Sequence, residues 1–302
     1  MAVVAPTRRG RMRRLIGRDP IGFAFVAPYV IFLVVLFGYP LLLALYISFF
    51  DYFFAAPGAQ VDRPFVGLAN YTEILGDPTF QRSLLNVGEF ILINVPLTVV
   101  LSLVLAAALN AKLPFRTFFR ASYFVPYVTA SVALIGVWLW LFSSSGLLNG
   151  LLGPLAADPS WLVSEFWATP VIALVVTWKQ LGFYVLLYLA ALQNIPRELY
   201  EAAEVDGAGA VRRFLAITVP GVRPATTLVV ILATIVGANL FTEPYLLTGG
   251  GGPNGASMSP VLLMYRAGIE QGNAGYAAAI GVILAIGVMA ISAVNRFVLE
   301  KE

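Results

Sequence analysis

Six runs of apolar residues dominate the chain, roughly 21–50, 84–109, 121–142, 168–191, 225–247 and 276–298. A helix needs about 20 mostly apolar residues to cross a hydrocarbon core. Helices also satisfy their own backbone hydrogen bonds where no water is at hand. The pattern therefore predicts an all-α, polytopic membrane protein with six transmembrane helices. Pro28, Pro40, Pro96, Pro126, Pro170 and Pro244 fall within or near the ends of these runs, where neighbouring groups can take up the freed carbonyls. Outside the runs lie an N-terminal segment, 1–20, a long polar connection, 192–223, and a tail, 299–302.

Composition supports the membrane reading. Of 302 residues, 59% are hydrophobic and 12% charged, against about 45–50% and about 25% in soluble domains. There are no cysteines and no histidines, which removes disulfides, thiol nucleophiles, imidazole bases and nearly every zinc, haem or iron–sulfur arrangement. A phosphate-binding loop needs lysine directly after glycine. The three lysines, Lys112, Lys179 and Lys301, follow Ala, Trp and Glu instead. The chain is expected to bind no cofactor or metal directly and to hydrolyse no nucleotide through that motif.

Basic residues set the direction. Arg8, Arg9, Arg11, Arg13, Arg14 and Arg18 share one predicted side with Lys112, Arg116 and Arg120, with Arg197, Arg212, Arg213 and Arg223, and with Arg296 and Lys301. The other side has Arg63, Arg82 and Arg266, with Lys179 inside a span. Fifteen against three is a strong positive-inside bias and predicts that both termini are cytoplasmic. The arginine-rich start then serves orientation and anionic lipid rather than nucleic acid. The first run is too long for a cleaved signal peptide and is read as a retained span.

The charges missing from the spans gather at 196–210. Glu198, Glu201, Glu204 and Asp206 lie within nine residues. Pro196 suits a helix start, and the three glutamates recur at three-residue steps on one face. Gly207 permits a turn. A second short helix follows, with Val211, Phe214 and Leu215 on one side and Pro220 ending it. The result is a helix–turn–helix on the cytoplasmic surface, either a docking element for a soluble partner or an ordinary solvated connector.

Glu201-Ala-Ala-Glu-Val-Asp206-Gly207-Ala-Gly with Ile217-Thr218-Val219-Pro220 resembles the EAA loop of integral-membrane subunits of ABC importers; Val219 stands where that pattern has leucine. Phe65-Val-Gly-Leu-Ala-Asn-Tyr71, Trp138-Leu-Trp140-Leu-Phe142, Gly146-Leu-Leu-Asn149 and Pro244-Tyr-Leu-Leu-Thr248-Gly-Gly resemble the carbohydrate-uptake branch, related to maltose and glycerol-phosphate permeases. The likeness runs from about 21 to 298. It implies the type I permease fold and a permease subunit for a sugar, leaning to a di- or oligosaccharide. It further implies a coupling role for Glu201, Ala202, Ala203, Asp206, Gly207 and Pro220, with Glu201 as salt-bridge partner of a basic residue on a separate ATPase. The implied partners are a second, different permease chain, two ATP-binding subunits carrying ATP and Mg, an extracytoplasmic solute-binding protein and the lipid bilayer of a bacterial or archaeal cell membrane.

Polar residues in spans are default functional candidates. Trp178, Lys179, Gln180 and Phe183 in the fourth span and Asn239 and Glu243 in the fifth are substrate-path candidates. For Lys179 the alternative is snorkelling to the outer interface; for Glu243 it is the external surface. Glu89, in the second span with Asn86 and Asn94, is a lining or interhelical hydrogen-bonding residue. Gly249–Gly255 is expected to be an external loop for the binding protein or a plain flexible connector. An ion-coupled secondary transporter is the other functional class considered, but the two halves show no matching broken helices. A membrane enzyme is disfavoured because no nucleophile–base or metal cluster converges.

Overall fold

The computed structural model describes residues 20–55, 58, 61–111, 114–158 and 160–299, with side chains described within 25–293. The expectations for Arg8 to Arg18, Lys112 and the tail with Lys301 lie outside the described residues. The fold is all-helical; the β pairing among the described residues amounts to two isolated bridges, Phe50 with Phe65 and Phe53 with Asn273.

The first span is α1 (Pro20–Leu33), a π turn (Val34–Gly38) and α2 (Tyr39–Ile47). A short α3 (Ala69–Gly76) leads to α4 (Pro78–Asn110), whose start is capped by Asp77 accepting from the Thr79 amide at 2.8 Å. Then come α5 (Arg116–Val128), α6 (Ser131–Leu141), α7 (Leu147–Leu152) and α8 (Ala168–Leu192). The polar connection contains α9 (Arg197–Val205), α10 (Ala210–Arg213), a π turn (Phe214–Thr218) and α11 (Val219–Gly221). The chain closes with α12 (Arg223–Ala238), α13 (Thr242–Leu247), α14 (Pro260–Tyr265) and its π turn (Arg266–Glu270), and α15 (Ala274–Leu299).

Among the described residues four helices are long and apolar enough to cross a membrane, and up to six spans result if each of two bent pairs counts as one. The third predicted span, 121–142, is broken at Thr129, which is extended, and Ala130, which is also non-helical, and α5 meets α6 at 98°. The fifth, 225–247, stops at Ala238; Asn239 to Phe241 interrupt it before α13. Its preceding segment, 210–221, bends by 69° into α12.

The core is a bundle of α4, α8 and α12. Leu103, Ala106 and Leu109 pack with Tyr184, Val185, Tyr188 and Leu192, and with Val229 and Ala233. In α8, 61% of the span is buried within the chain, against none of the window in the first span, so α8 is central and the first span peripheral. α4 has a membrane protein's polarity. Its inward stripe includes Ser83, Asn86, Asn94, Thr98 and Ser102, while Leu84, Leu85, Leu92, Val100 and Val104 face out. Asn94 donates to Thr177 Oγ1 at 2.7 Å, tying α4 to α8. Such interhelical bonds contribute about 0.6–2 kcal/mol each in a bilayer.

One glycine sets a crossing. A Cβ on Gly182 would lie 2.1 Å from the Tyr123 carbonyl oxygen, so only glycine lets α5 approach α8 this closely.

Two prolines explain two irregular turns. Pro40 and Pro220 each stand two residues past a π turn, Val34–Gly38 and Phe214–Thr218. A proline ring clashes with the carbonyl four residues back, and the widened turn makes room for it. Pro220 stands in the last turn of its helix, as expected: the helix ends at the next residue, Gly221, and the chain bends by 69° into α12.

Candidate functional site

The polar connection folds as a helical hairpin. Glu198 sits in the first turn of α9, where a carboxylate complements the helix dipole. Gly207 takes φ +75°. The Gly207 amide donates to the Glu204 carbonyl at 3.0 Å and the Ala208 amide to the Ala203 carbonyl at 2.8 Å. This is a Schellman closure, which needs a left-handed residue where Gly207 stands.

Glu201, Ala202, Asp206, Gly207 and Pro220 are exposed and Ala203 is half-buried. Val205 is 89% exposed, Val211 73% and Leu215 60%, a degree of apolar exposure that marks an interaction surface when contiguous. Gly209, Ala210, Val211, Arg212, Leu215 and Ala216 line a shallow hollow there. Phe214 instead turns inward and packs on the core. Glu204 and Arg213 form an ion pair across the hairpin, Oε2 to Nη1, at 2.9 Å. Sequence reasoning gave neither of them a partner.

Within the spans the predicted path residues divide. Lys179 and Glu243 meet at 3.0 Å, with side chains only 18% and 10% exposed. The ammonium also donates to Ser131 Oγ at 2.6 Å. Lys179 therefore does not snorkel, and Glu243 is not at the external surface. The pair joins α8, α13 and the start of α6. Ser131 carried no signal in the sequence. Phe183 stacks on Tyr127 at 5.0 Å and 13°, which covers one of its faces. Gln180 accepts from the Tyr184 hydroxyl at 3.1 Å. Trp178 is 39% exposed and meets Trp138 edge-on. Asn239 and Glu89 are exposed, and Asn239 Nδ2 donates to the Ile235 carbonyl at 2.8 Å.

Other polar span residues serve the glycine loop. Asn86 Nδ2 donates to the carbonyls of Gly255 at 2.7 Å and Met258 at 2.9 Å. Thr169 donates to Ala256 at 2.8 Å. Gly249 to Gly252 all take positive φ, 63° to 113°, which explains the glycine run. Gly250 and Gly251 are buried, and their amides donate to the Pro244 carbonyl. The loop is pinned to the bundle and is not a plain flexible connector.

Residues 98–301 match the family described as binding-protein-dependent transport system inner membrane component. The chain belongs to that family. Membership makes it the membrane part of a transport system rather than an enzyme, and sets aside the ion-coupled reading. The chain is similar to the arabinooligosaccharides transport system permease protein AraP of Bacillus subtilis, 34% identical over 90% of this chain and 86% of that protein. It is similar also to the lactose transport system permease protein LacF of Rhizobium radiobacter, 33% identical over 96% of each. In fold it resembles a chain of a bacterial alginate ABC transporter, solved in complex with an alginate pentasaccharide-bound periplasmic protein. There the TM-score is 0.78 at 20-odd per cent identity, 21%, over 95% of this chain and 96% of that one.

Proposed function

We propose that this chain is one permease of an ATP-driven importer of a di- or oligosaccharide, moved through the hairpin Arg197–Gly221 by a separate ATPase. The observation that carries the reading is the hairpin's outer face. It offers exposed carboxylates, small alanines and open apolar residues around a glycine turn, outside a bundle with no phosphate-binding loop of its own. Glu201, Ala202, Ala203, Asp206 and Gly207 make the contact, and Glu201 pairs with a basic residue of the ATPase. Glu204 is left out because Arg213 already holds it. Pro220 shapes the returning limb through its π turn.

The assembly has a second, different permease, two ATP-binding subunits carrying ATP and Mg, and a solute-binding protein outside the cell membrane. Both termini and the hairpin are cytoplasmic, as the positive-inside bias requires. The names of the relatives, transporters of arabinooligosaccharides and lactose, support the sugar class. In the path, Asn239, Glu89, Trp178 and Gln180 offer hydrogen bonds and Phe183 an apolar face. Lys179 and Glu243 neutralise each other, which suits an uncharged solute and makes them a brace of that path.

Co-purification tests the docking. With Glu201→Lys and Gly207→Val together, the ATPase is expected to be lost from the purified complex while the permease stays in the membrane fraction. Retained ATPase and undiminished uptake would overturn the assignment.

A further inference from the structure

The hairpin is closed by three successive contacts at different heights. At its root, Ile195 packs on Gly221, where an added Cβ would come 2.7 Å from Ile195 Cδ1. Midway, the hydroxyls of Tyr200 and Thr218 are 2.8 Å apart, with Thr218 buried. Near the tip, Glu204 and Arg213 pair at 2.9 Å. The two limbs thus run antiparallel with matched register on either side of Gly207, apolar at the root, hydrogen-bonded in the middle, charged at the end.

The returning limb leads directly into α12. Val222 is fully buried, its amide donates to the Thr218 carbonyl at 3.1 Å, and α12 begins at the next residue. α12 ends at Ala238, next to the exposed Asn239. A push on the outward limb, α9, reaches α12 by two routes. One passes round the Gly207 turn, where glycine allows the backbone to flex. The other crosses the rungs.

We infer that Glu204, Arg213, Tyr200 and Thr218 are positioning residues that zip the hairpin into one rigid lever, so that force on α9 moves α12 rather than bending the turn. This rests on the coupling role proposed above and names the residues that make the coupling stiff. An exposed ion pair adds little to stability. Its contribution here is to the angle between the limbs while load is applied, which a stability measurement does not read.

The test uses the assembled complex in vesicles and reads solute imported per ATP hydrolysed. The single variants Glu204→Arg and Arg213→Glu are each expected to keep the ATPase bound and hydrolysing. Each should lower import per ATP by about fivefold, the ratio equivalent to one hydrogen bond. Tyr200→Phe should do the same through the middle rung. The double variant E204R/R213E, which restores the pair with its charges exchanged, should recover most of the loss. A merely structural role would move expression and melting without moving this ratio. Unchanged import per ATP in the single variants would overturn the inference, as would a double variant no better than either single. So would loss of the ATPase from these variants, which would put Glu204 and Arg213 in the docking face. Failure of the docking reading is told apart by Glu201→Lys alone, which changes no residue of the three rungs and leaves the Gly207 turn intact.

Discussion

Removing either partner of the Lys179–Glu243 pair should destabilise the bundle more than removing both. At 3.0 Å the attraction is about 5 kcal/mol for an effective dielectric near 20. Most of that is offset by taking the two charges out of water, since the side chains are 18% and 10% exposed. Breaking such a pair costs about 3–5 kcal/mol because an uncompensated charge stays behind, whereas replacing both by apolar groups of similar size is often neutral or better. Lys179→Met and Glu243→Leu should each lower the thermal midpoint of the purified complex by several degrees. The double variant should lie close to the parent, giving a large coupling term in a double-mutant cycle. Singles indistinguishable from the parent, or a double variant whose loss is the sum of the two, would refute the bracing role. Uptake in the double variant carries a second reading: retained transport identifies the pair as scaffold, and lost transport as part of the path.

Three further outcomes follow from contacts within the bundle. Gly182→Val should force α5 off α8, since even a Cβ meets the Tyr123 carbonyl at 2.1 Å; the expected loss is about 1–3 kcal/mol or more. By contrast Gly136→Ala, where a Cβ would meet nothing within 4 Å, should leave the thermal midpoint unchanged or raised. Asn86→Leu removes two donors from the carbonyls of Gly255 and Met258. Hydrogen exchange of 250–258 should then speed up, with α8 unaffected; equal protection in both proteins would show that Asn86 does not hold the loop.

Hydrophobic runs made the helical class legible because length and apolarity alone decide what can cross a bilayer. The hairpin was legible too, since its determinants are local: Pro196 at a helix start, Gly207 at a left-handed turn, glutamates at one spacing. The breaks were not. Thr129, Ala130 and Asn239 to Phe241 lie within or next to apolar runs, and only packing shows that the helix stops there. Partners far apart in the chain were invisible. Lys179 and Glu243 are 64 residues apart, and each alone looked like a path residue. The partners of Asn86 and Asn94, loop carbonyls for one and Thr177 for the other, depended on which helices touch.

Under the proposed function the bundle cannot power itself and is worked from outside through its hairpin. Vesicles that contain this chain with its permease and ATPase partners, and the solute-binding protein, should accumulate the sugar only when ATP is supplied. Vesicles with this chain alone should take up none. Accumulation by the lone chain without nucleotide would contradict the account.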